Sequence, residues 1–377
     1  MNVQYDGYDD YTKEGQTTYY SSHQMHYDML ELMQLCYDRN ASDIHVAVNT
    51  PPVLRIDGHL EPLDGPPLTP ADTERLVKQI TSEIYLQKIA EVGAADFAYA
   101  FGDIARFRVS AFRQKGLYQG CLRLIPQTLM SWEQLGLPQM IKDLLYLPRG
   151  LIVVTGPTGS GKTTTLASMV DYINTERDCH IVTIEDPIEF YHHHKKSIVT
   201  QRELGVDTPS FATALKHVLR QNPDIILVGE MRDLETIQAA ITAAETGHLV
   251  FATLHTSTAP GTINRVIDAF PMDQQAQIRT QLSVSLVAVI CQTLLPRIKG
   301  GRCAAFEILV ATDAVKAMIR DNKIPNIVSA IQTGQKLGMQ TLEQGLFNLY
   351  QRGWVSYQDA IRKAQRPDEF EKLVKGD

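Results

Sequence analysis

The chain has 377 residues, of which 44% are hydrophobic and 21% are charged, and its formal net charge at pH 7 is −7. This length exceeds what one hydrophobic core usually organises, so two domains are expected. The acidic balance weighs against broad nucleic-acid binding, and the five cysteines include no C-x-x-C pair, which argues against a zinc knuckle or a disulfide framework.

The amino-terminal region divides into two parts. Residues 1–25 are polar and tyrosine-rich, without aliphatic periodicity, so we expect a disordered extension and no signal peptide. Residues 26–126 contain one helical pattern, YDMLELMQLCYDR, and five alternating segments typical of strands, which are DIHVAV, PVLRIDG, ADFAYAF, ARFRVSAFR and GCLRLI. These patterns predict a small α+β domain, followed by a linker at 127–133.

From residue 134 to residue 377, apolar strands alternate with amphipathic helices, which is the pattern of an α/β domain with a mainly parallel sheet. The longest apolar run, LSVSLVAVICQTLL at 282–295, is too short and too polar to span a bilayer. We predict that this run is a buried helix, and we expect the protein to be cytosolic.

The start of the α/β domain carries the most specific motif. An apolar strand at 151–155 precedes Gly156-x-x-x-x-Gly161-Lys162-Thr163, and an amphipathic helix follows. In such a loop, backbone N–H groups surround phosphate oxygens, the lysine reaches the β- and γ-phosphates, and the threonine hydroxyl ligates Mg²⁺. The sequence therefore predicts a nucleoside triphosphate site. Its predicted binding residues are Gly156, Pro157, Thr158, Gly159, Ser160, Gly161, Lys162, Thr163 and Thr164.

Carboxylates follow two later apolar strands. HIVTIEDPIEF ends a strand with Glu185, and DIILVGEMRD ends another with Glu230. Ligands collect at the carboxyl ends of the strands in open parallel sheets, so both side chains are candidates to hold Mg²⁺ or its water. We favour Glu230 as the hydrolytic carboxylate and Glu185 as the group that polarises water or orders the metal shell, but the two roles stay open to exchange.

Two histidines flank the apolar run in TGHLVFATLHT, which is typical of a buried strand. His248 and His255 would lie roughly 23 Å apart along a strand, so they cannot share one metal ion. We expect His255 at the end that faces the phosphate-binding loop, where it can contact the γ-phosphate. His248 lies at the opposite end, and we predict a structural or subunit-interface role for it.

Four motifs occur in a fixed order along the chain. GPTGSGKTTT, TIEDPIEF, LVGEMRD and TGHLVFATLHT resemble the Walker A, Asp, Walker B and His boxes of the secretion-superfamily ATPases, the motors of type IV pili and type II secretion. The resemblance runs from about residue 27 to the carboxyl end. It implies a PAS-like amino-terminal domain, a RecA-like P-loop core with carboxyl-terminal helices, and a homohexameric ring that holds ATP between the two domains.

Two features favour the branch of this family that retracts type IV pili. The sequence lacks the tetracysteine zinc motif and the longer amino-terminal region of the extension and type II secretion ATPases. The retraction motif of the family, A-I-R-N-L-I-R-E, corresponds to AVKAMIRD at 314–321, which keeps apolar residues at Val315, Met318 and Ile319. Lys316 and Ala317 depart from that motif.

Arginines in the segment ARFRVSAFRQKG are further candidates for the site. Arg106 and Arg108 lie on one face of the predicted strand, and Arg113 lies on the other. The family resemblance implies that arginines of this segment reach the γ-phosphate, where their charge would stabilise the transition state. The histidines of YHHHKK at 191–196 do not converge on one face, so we reject a metal site there and expect a solvated loop.

The resemblance implies an ATPase that requires ATP and Mg²⁺ and powers pilus retraction and twitching motility. Its implied place is the cytoplasmic face of the inner membrane, and its implied partners are the inner-membrane platform protein of the pilus and other pilus ATPases. No nucleic acid is expected. Two alternatives stay open, namely a non-motor regulatory paralogue that binds ATP as a switch and a DNA translocase on a RecA-like core.

Overall fold

The structure is a computed structural model that describes residues 27–56, 58–102, 104–125 and 129–376. The described chain divides into two compact units. One contains the described residues up to Ala94 together with Ala111–Cys121, and the other contains Ala95–Ser110 together with the residues from Leu122 onward. The predicted extension at 1–25 and the Pro126 that precedes the predicted linker lie outside the described residues, and the predicted domain boundaries stay predictions.

Up to residue 125, the described chain forms three helices and six strands. The helices are Met29–Asp38 (α1), Pro70–Ile80 (α2) and Glu83–Val92 (α3). The strands are Asp43–Val46 (β1), Val53–Ile56 (β2), His59–Pro62 (β3), Ala94–Phe101 (β4), Ala105–Gln114 (β5) and Leu117–Ile125 (β6), in one sheet of order β3-β2-β1-β6-β5-β4. The predicted helix and the five predicted strands are confirmed, whereas α2, α3 and the largely exposed β3 were not predicted.

The rest of the described chain is organised around a seven-stranded sheet. Its strands are Gly150–Thr155 (β7), His180–Glu185 (β8), Ile198–Glu203 (β9), Ile225–Val228 (β10), Leu249–Leu254 (β11), Leu286–Pro296 (β12) and Arg302–Val310 (β13). Their order is β13-β12-β7-β11-β10-β8-β9, and every neighbouring pair is parallel except β12 with β13. The predicted, mainly parallel sheet is confirmed.

Twelve α-helices accompany this sheet in the described chain. They are Trp132–Leu135 (α4), Met140–Leu144 (α5), Lys162–Glu176 (α6), Phe211–Val218 (α7), Leu234–Glu245 (α8), Ala259–Asp268 (α9), Gln275–Ser285 (α10), Asp313–Arg320 (α11), Ile327–Thr333 (α12), Leu342–Gln351 (α13), Tyr357–Lys363 (α14) and Pro367–Lys375 (α15). None of the helices in the described ranges is long and apolar enough to cross a bilayer.

The central strands are apolar throughout because both of their faces are buried. In β7, Leu151 and Val153 pack into one hydrophobic cluster, and Ile152 and Val154 pack into another. All six residues of β7 and all six of β11 are buried. The strands predicted at 151–155 and within TGHLVFATLHT are confirmed, as is the helix after the phosphate-binding loop.

The buried helix predicted at 282–295 is wrong for most of its length. Helix α10 ends at Ser285, and residues 286–296 form strand β12. This strand pairs in parallel with β7 and antiparallel with β13, so its apolar residues are buried in a sheet. Hydrophobic periodicity could not distinguish a helix from a strand here, because a short continuous apolar run is compatible with either a buried helix or a buried strand.

Helix α11 contains residues 314–320 of the segment that corresponds to the retraction motif of the family, and Asp321 is its C-cap. Val315 and Ile319 are fully buried, and Met318 packs against the same cluster. The predicted apolar face of this segment is therefore confirmed. Helices α13 to α15 pack with β12 and β13 around a separate cluster that includes Leu346 and Phe370.

Candidate active site

The predicted phosphate-binding loop connects β7 to α6 and passes very close to β12. Gly156 and Gly161 have φ angles of 147° and 87°, which side chains rarely allow. A Cβ on Gly156 would lie 2.2 Å from the carbonyl oxygen of Gln292, and a Cβ on Gly161 would lie 2.9 Å from Nε2 of the same residue. The Ser160 hydroxyl is buried and has no hydrogen-bond partner within the described residues. The loop thus combines glycines, which leave the backbone N–H groups accessible, with the Ser160 hydroxyl as a donor without a partner. Both features suit a loop that binds phosphate.

Lys162 is the first residue of α6, and its ammonium group lies against the loop. Nζ donates hydrogen bonds to the carbonyl oxygens of Gly156 at 2.7 Å and Pro157 at 3.2 Å. Burial lowers the pKa of Lys162, while the negative charges of Glu230 and Glu189 act in the opposite direction. A cation at the amino end of a helix, next to backbone N–H groups, is suited to bind phosphate.

The other predicted nucleotide-binding residues lie on either side of this lysine. Pro157, Thr158 and Gly159 form the exposed tip of the loop. Thr163 and Thr164 belong to the first turn of α6 and are partly buried. The structure therefore brings the predicted binding residues into one continuous loop and helix start.

Candidate residues from three other strands lie along the same edge of the sheet. Strands β7, β11, β10 and β8 are adjacent and parallel, so their carboxyl ends meet there. His255 follows β11, Glu230 follows β10 after Gly229, and Glu185 is the last residue of β8. The Gly229 N–H donates to the carbonyl oxygen of Ile184 at 2.7 Å, which joins two of these strand ends. This arrangement is typical of ligand sites in open α/β sheets.

Glu230 is held on both of its carboxylate oxygens. Arg232 Nη2 lies 2.7 Å from Oε2, and His255 Nε2 lies 2.9 Å from Oε1. Burial alone would raise the pKa of Glu230, but the hydrogen bonds and charges of Arg232 and His255 outweigh burial and lower it. The carboxylate is therefore ionised and fixed in orientation.

Glu185 has a different environment. Thr183 Oγ1 donates to its Oε1 at 2.7 Å, and Gln201 Nε2 donates to the same oxygen at 3.2 Å. Burial raises the pKa of Glu185 to about 7, although these two hydrogen bonds act in the opposite direction. A carboxyl group with this pKa is only partly ionised at neutral pH, so the two glutamates are not equivalent.

Arg106 and Arg108 lie two residues apart on β5, but their environments differ sharply. Arg106 is 4% exposed, and its guanidinium carbon lies 3.5 Å from the ring centroid of Tyr191. Within the described chain, its Nε and Nη1 atoms have no hydrogen-bond partner. Arg108 has a side chain that is 43% exposed, and its Nη1 lies 3.7 Å from Glu189 Oε1. Arg108 is therefore the arginine that can reorient at little cost, since exposed ion pairs are weak.

Arg113 belongs to the other compact unit and is engaged locally. Its Nη2 donates to the Tyr118 hydroxyl at 3.2 Å, and its guanidinium carbon lies 5.1 Å from the centroid of that ring. Nothing in these contacts connects Arg113 with a phosphate site, so its predicted role stays a prediction.

The predicted Mg²⁺ ligands Thr163, Glu185 and Glu230 offer only oxygen atoms, which suits the preference of this ion. Both oxygens of Glu230 are already engaged by Arg232 and His255. Glu230 therefore fits an outer position, in contact with a water of the metal shell, better than direct ligation. The Thr163 hydroxyl, next to Lys162, fits direct ligation.

The other histidines are engaged separately from this site. The ring of His248 bonds the Ala243 carbonyl oxygen at 2.9 Å, which is a local structural contact. In the YHHHKK segment, His192 is half-buried and burial lowers its pKa to about 4, whereas His193 and His194 are exposed. Among the residues that the structure describes, no group of three or more His, Cys, Asp or Glu side chains is arranged to hold a metal ion.

Sequence reasoning missed three residues of the site. The sequence contained a sign of the role of Arg232, because this arginine follows Glu230 by two positions in GEMRD and could pair with it. Tyr191 lies in the YHHHKK segment, and nothing in that segment indicates that its ring would stack on Arg106. Gln292 lies on β12, where the sequence predicts a helix instead of a strand. The side chain of Gln292 accepts a hydrogen bond from the Thr165 hydroxyl at 2.8 Å.

Comparison with known proteins is consistent across sequence and structure. The sequence profile of the family described as type II/IV secretion system protein matches residues 22–305. The chain is 48% identical over 343 residues to the type IV pilus retraction ATPase PilT of Pseudomonas aeruginosa, which covers 91% of this chain and 100% of that protein. It is 44% identical over 349 residues to a twitching motility protein of Neisseria gonorrhoeae, covering 91% of this chain and 92% of that one.

Among solved structures, the crystal structure of the pilus retraction motor PilT with bound ADP superimposes with a TM-score of 0.85. The sequence identity is 48%, and the match covers 92% of this chain and 99% of that one. The expected RecA-like α/β core, in addition to amino-terminal and carboxyl-terminal regions, is confirmed.

Proposed function

The chain belongs to the type II/IV secretion system protein family, and on that basis we propose that it is an ATPase motor that retracts type IV pili. One observation carries the chemical part of this proposal. Three neighbouring strands end at one edge of the sheet, and each is followed by a part of the site. These parts are the phosphate-binding loop with Lys162, the ionised Glu230, and His255, which contacts Glu230. The 48% identity to a pilus retraction ATPase along nearly the whole chain supports the biological part.

The residues divide the work of phosphoryl transfer between them. The loop N–H groups and Lys162 bind the phosphates, and Arg108 adds charge where negative charge develops on the γ-phosphate. Glu230 orients the attacking water and accepts its proton, which an ionised carboxylate can do. Glu185 helps to order water near the phosphates. Thr163, together with Glu185 and Glu230, would hold a bound Mg²⁺, which would neutralise further negative charge on the phosphates.

The proposal extends to the assembly in which this chemistry would be used. We propose a homohexamer at the cytoplasmic face of the inner membrane, with the pilus platform protein as its partner. Two observations support a retraction role, namely the correspondence of the α11 segment to the retraction motif of the family and the 48% identity to a pilus retraction ATPase. Coupling then requires that ATP hydrolysis change the arrangement of the two compact units.

Glu230→Gln tests the chemical part directly. The amide keeps the size of the side chain but cannot accept a proton, so we expect kcat to fall by about 10² or more while ATP affinity changes little. Steady-state ATPase rates and ATP binding measured on the same protein separate the two effects. Glu235→Gln, at an exposed position in the first turn of α8, is the matched control. If ATP affinity falls as much as kcat, Glu230 acts mainly in binding, and the assignment is wrong.

A further inference from the structure

Two carboxylates outside the active site are buried in the carboxyl-terminal part of the second unit. Glu343 on α13 is 0% exposed, and Glu307 on β13 is 4% exposed. Burial of a carboxylate is costly unless hydrogen bonds or ion pairs compensate for it. Both side chains have such partners. Glu307 bonds directly to segment 256–259, which follows His255, and Glu343 is connected to the same segment through Gln365.

Glu343 fixes the turn between α14 and α15. Its Oε1 accepts hydrogen bonds from the backbone N–H groups of Gln365 at 3.0 Å and Arg366 at 2.9 Å. Its Oε2 pairs with Nη2 of Arg366 at 2.8 Å. The backbone of Gln365 is therefore anchored to the protein interior, although its side chain is exposed.

The anchored Gln365 reaches across to the segment after β11. Its Nε2 donates to the carbonyl oxygen of Ser257 at 2.8 Å, a contact between residues 108 positions apart in the chain. Ser257 follows His255 by two residues, and His255 Nε2 lies 2.9 Å from Glu230 Oε1. The turn between α14 and α15 thus connects, through the hydrogen bond from Gln365 to Ser257, to the segment that directly follows His255.

The same segment is also held by other hydrogen bonds, including one from β7 and one to β13, and the hydroxyls of Thr256 and Thr258 bond to the first turn of α9. The Thr155 hydroxyl, at the end of the strand before the phosphate-binding loop, donates to the Thr256 carbonyl oxygen at 2.5 Å. Glu307 Oε1 accepts from the N–H of Ala259 at 2.7 Å, at the start of α9. These two contacts involve buried groups, and the contact from Gln365 is at the surface. Removal of the Gln365 side chain therefore leaves the packing of the core in place.

We propose that Gln365 is a positioning residue for ATP hydrolysis, which acts by holding the segment that carries His255 in register with Glu230. This inference rests on the proposed ATPase function. It assigns to the carboxyl-terminal helices a part in the chemistry of the site, in addition to their packing against β12 and β13. A loss of this contact lets His255 shift, and Glu230 then loses one of its two fixed partners.

Gln365→Glu and Gln365→Ala test the proposal in the full-length protein. The glutamate keeps the length of the side chain but removes the donor, so both variants should lower kcat by about two- to tenfold, the effect of one hydrogen bond. The KM for ATP and the melting temperature should stay unchanged, because neither the phosphate loop nor the core is altered. Gln332→Ala is the matched control, since Gln332 is a surface glutamine that contacts Glu369 of α15 and does not reach the segment after His255.

A double-mutant cycle with His255→Ala makes the test specific. If Gln365 acts through His255, the Gln365 variants should cause no further loss of kcat in the His255→Ala background. Wild-type kcat in Gln365→Glu, or an equal loss with and without His255, would overturn the inference. Absence of ATPase activity in the wild-type protein would instead contradict the proposed function, so that measurement comes first.

Discussion

Replacement of Lys162 by alanine should abolish ATP turnover while the fold is preserved. Removal of one preorganised donor from a transition state typically lowers kcat by about 10²–10³, and Lys162 carries a full positive charge, so we expect a loss of at least about 10³. Within the described part of the chain, the hydrogen bonds of Lys162 Nζ go to the loop carbonyl oxygens of Gly156 and Pro157. The loss of these contacts should not disturb the core.

The measurement is the steady-state ATPase rate, accompanied by circular dichroism and a melting curve. Lys216→Ala, at an exposed position on α7, is the control for the loss of one positive charge. An ATPase rate in Lys162→Ala close to that of the wild type would mean that hydrolysis occurs at a different site.

Arg108→Ala should have the second large effect. An arginine that reaches the transferred phosphoryl group contributes about 10³–10⁵ in rate, whereas an exposed surface charge contributes almost nothing. Arg108 is partly exposed and only loosely paired with Glu189, so it is free to move to the nucleotide. Arg106 is less free to move, because it is buried against Tyr191.

We therefore expect Arg108→Ala to lower kcat by about 10³ with only a modest change in ATP affinity. Lys115→Ala, at an exposed position just after β5, controls for the loss of charge near this strand. A rate within a factor of two of the wild type would show that Arg108 stays a surface residue throughout the cycle.

The central strands and the phosphate-binding loop could be predicted because local sequence determines them. Strand β7 is a continuous apolar run that stops at glycine, and the loop needs glycine where its backbone approaches Gln292. The positions of Glu185, Glu230 and His255 at one edge also followed from the sequence, since parallel strands align their carboxyl ends. This reasoning needed only the order of strands and helices.

Features that depend on pairing between distant segments could not be predicted in this way. The residues of β12 alone predict a helix, because the sequence of a strand does not show its pairing partners, here β7 and β13. The contact of Gln365 with Ser257 likewise depends on the packing of helices near the end of the chain. The stacking of Arg106 on Tyr191 also requires that two distant segments meet.

The most direct test of the central claim is a count of surface pili after deletion of the gene. If the protein retracts type IV pili, the deletion should leave excess pili that do not retract and should abolish twitching motility. Wild-type protein should restore both properties, and Glu230→Gln should restore neither, because retraction requires hydrolysis. Unchanged or reduced piliation in the deletion strain, with normal twitching, would contradict the account.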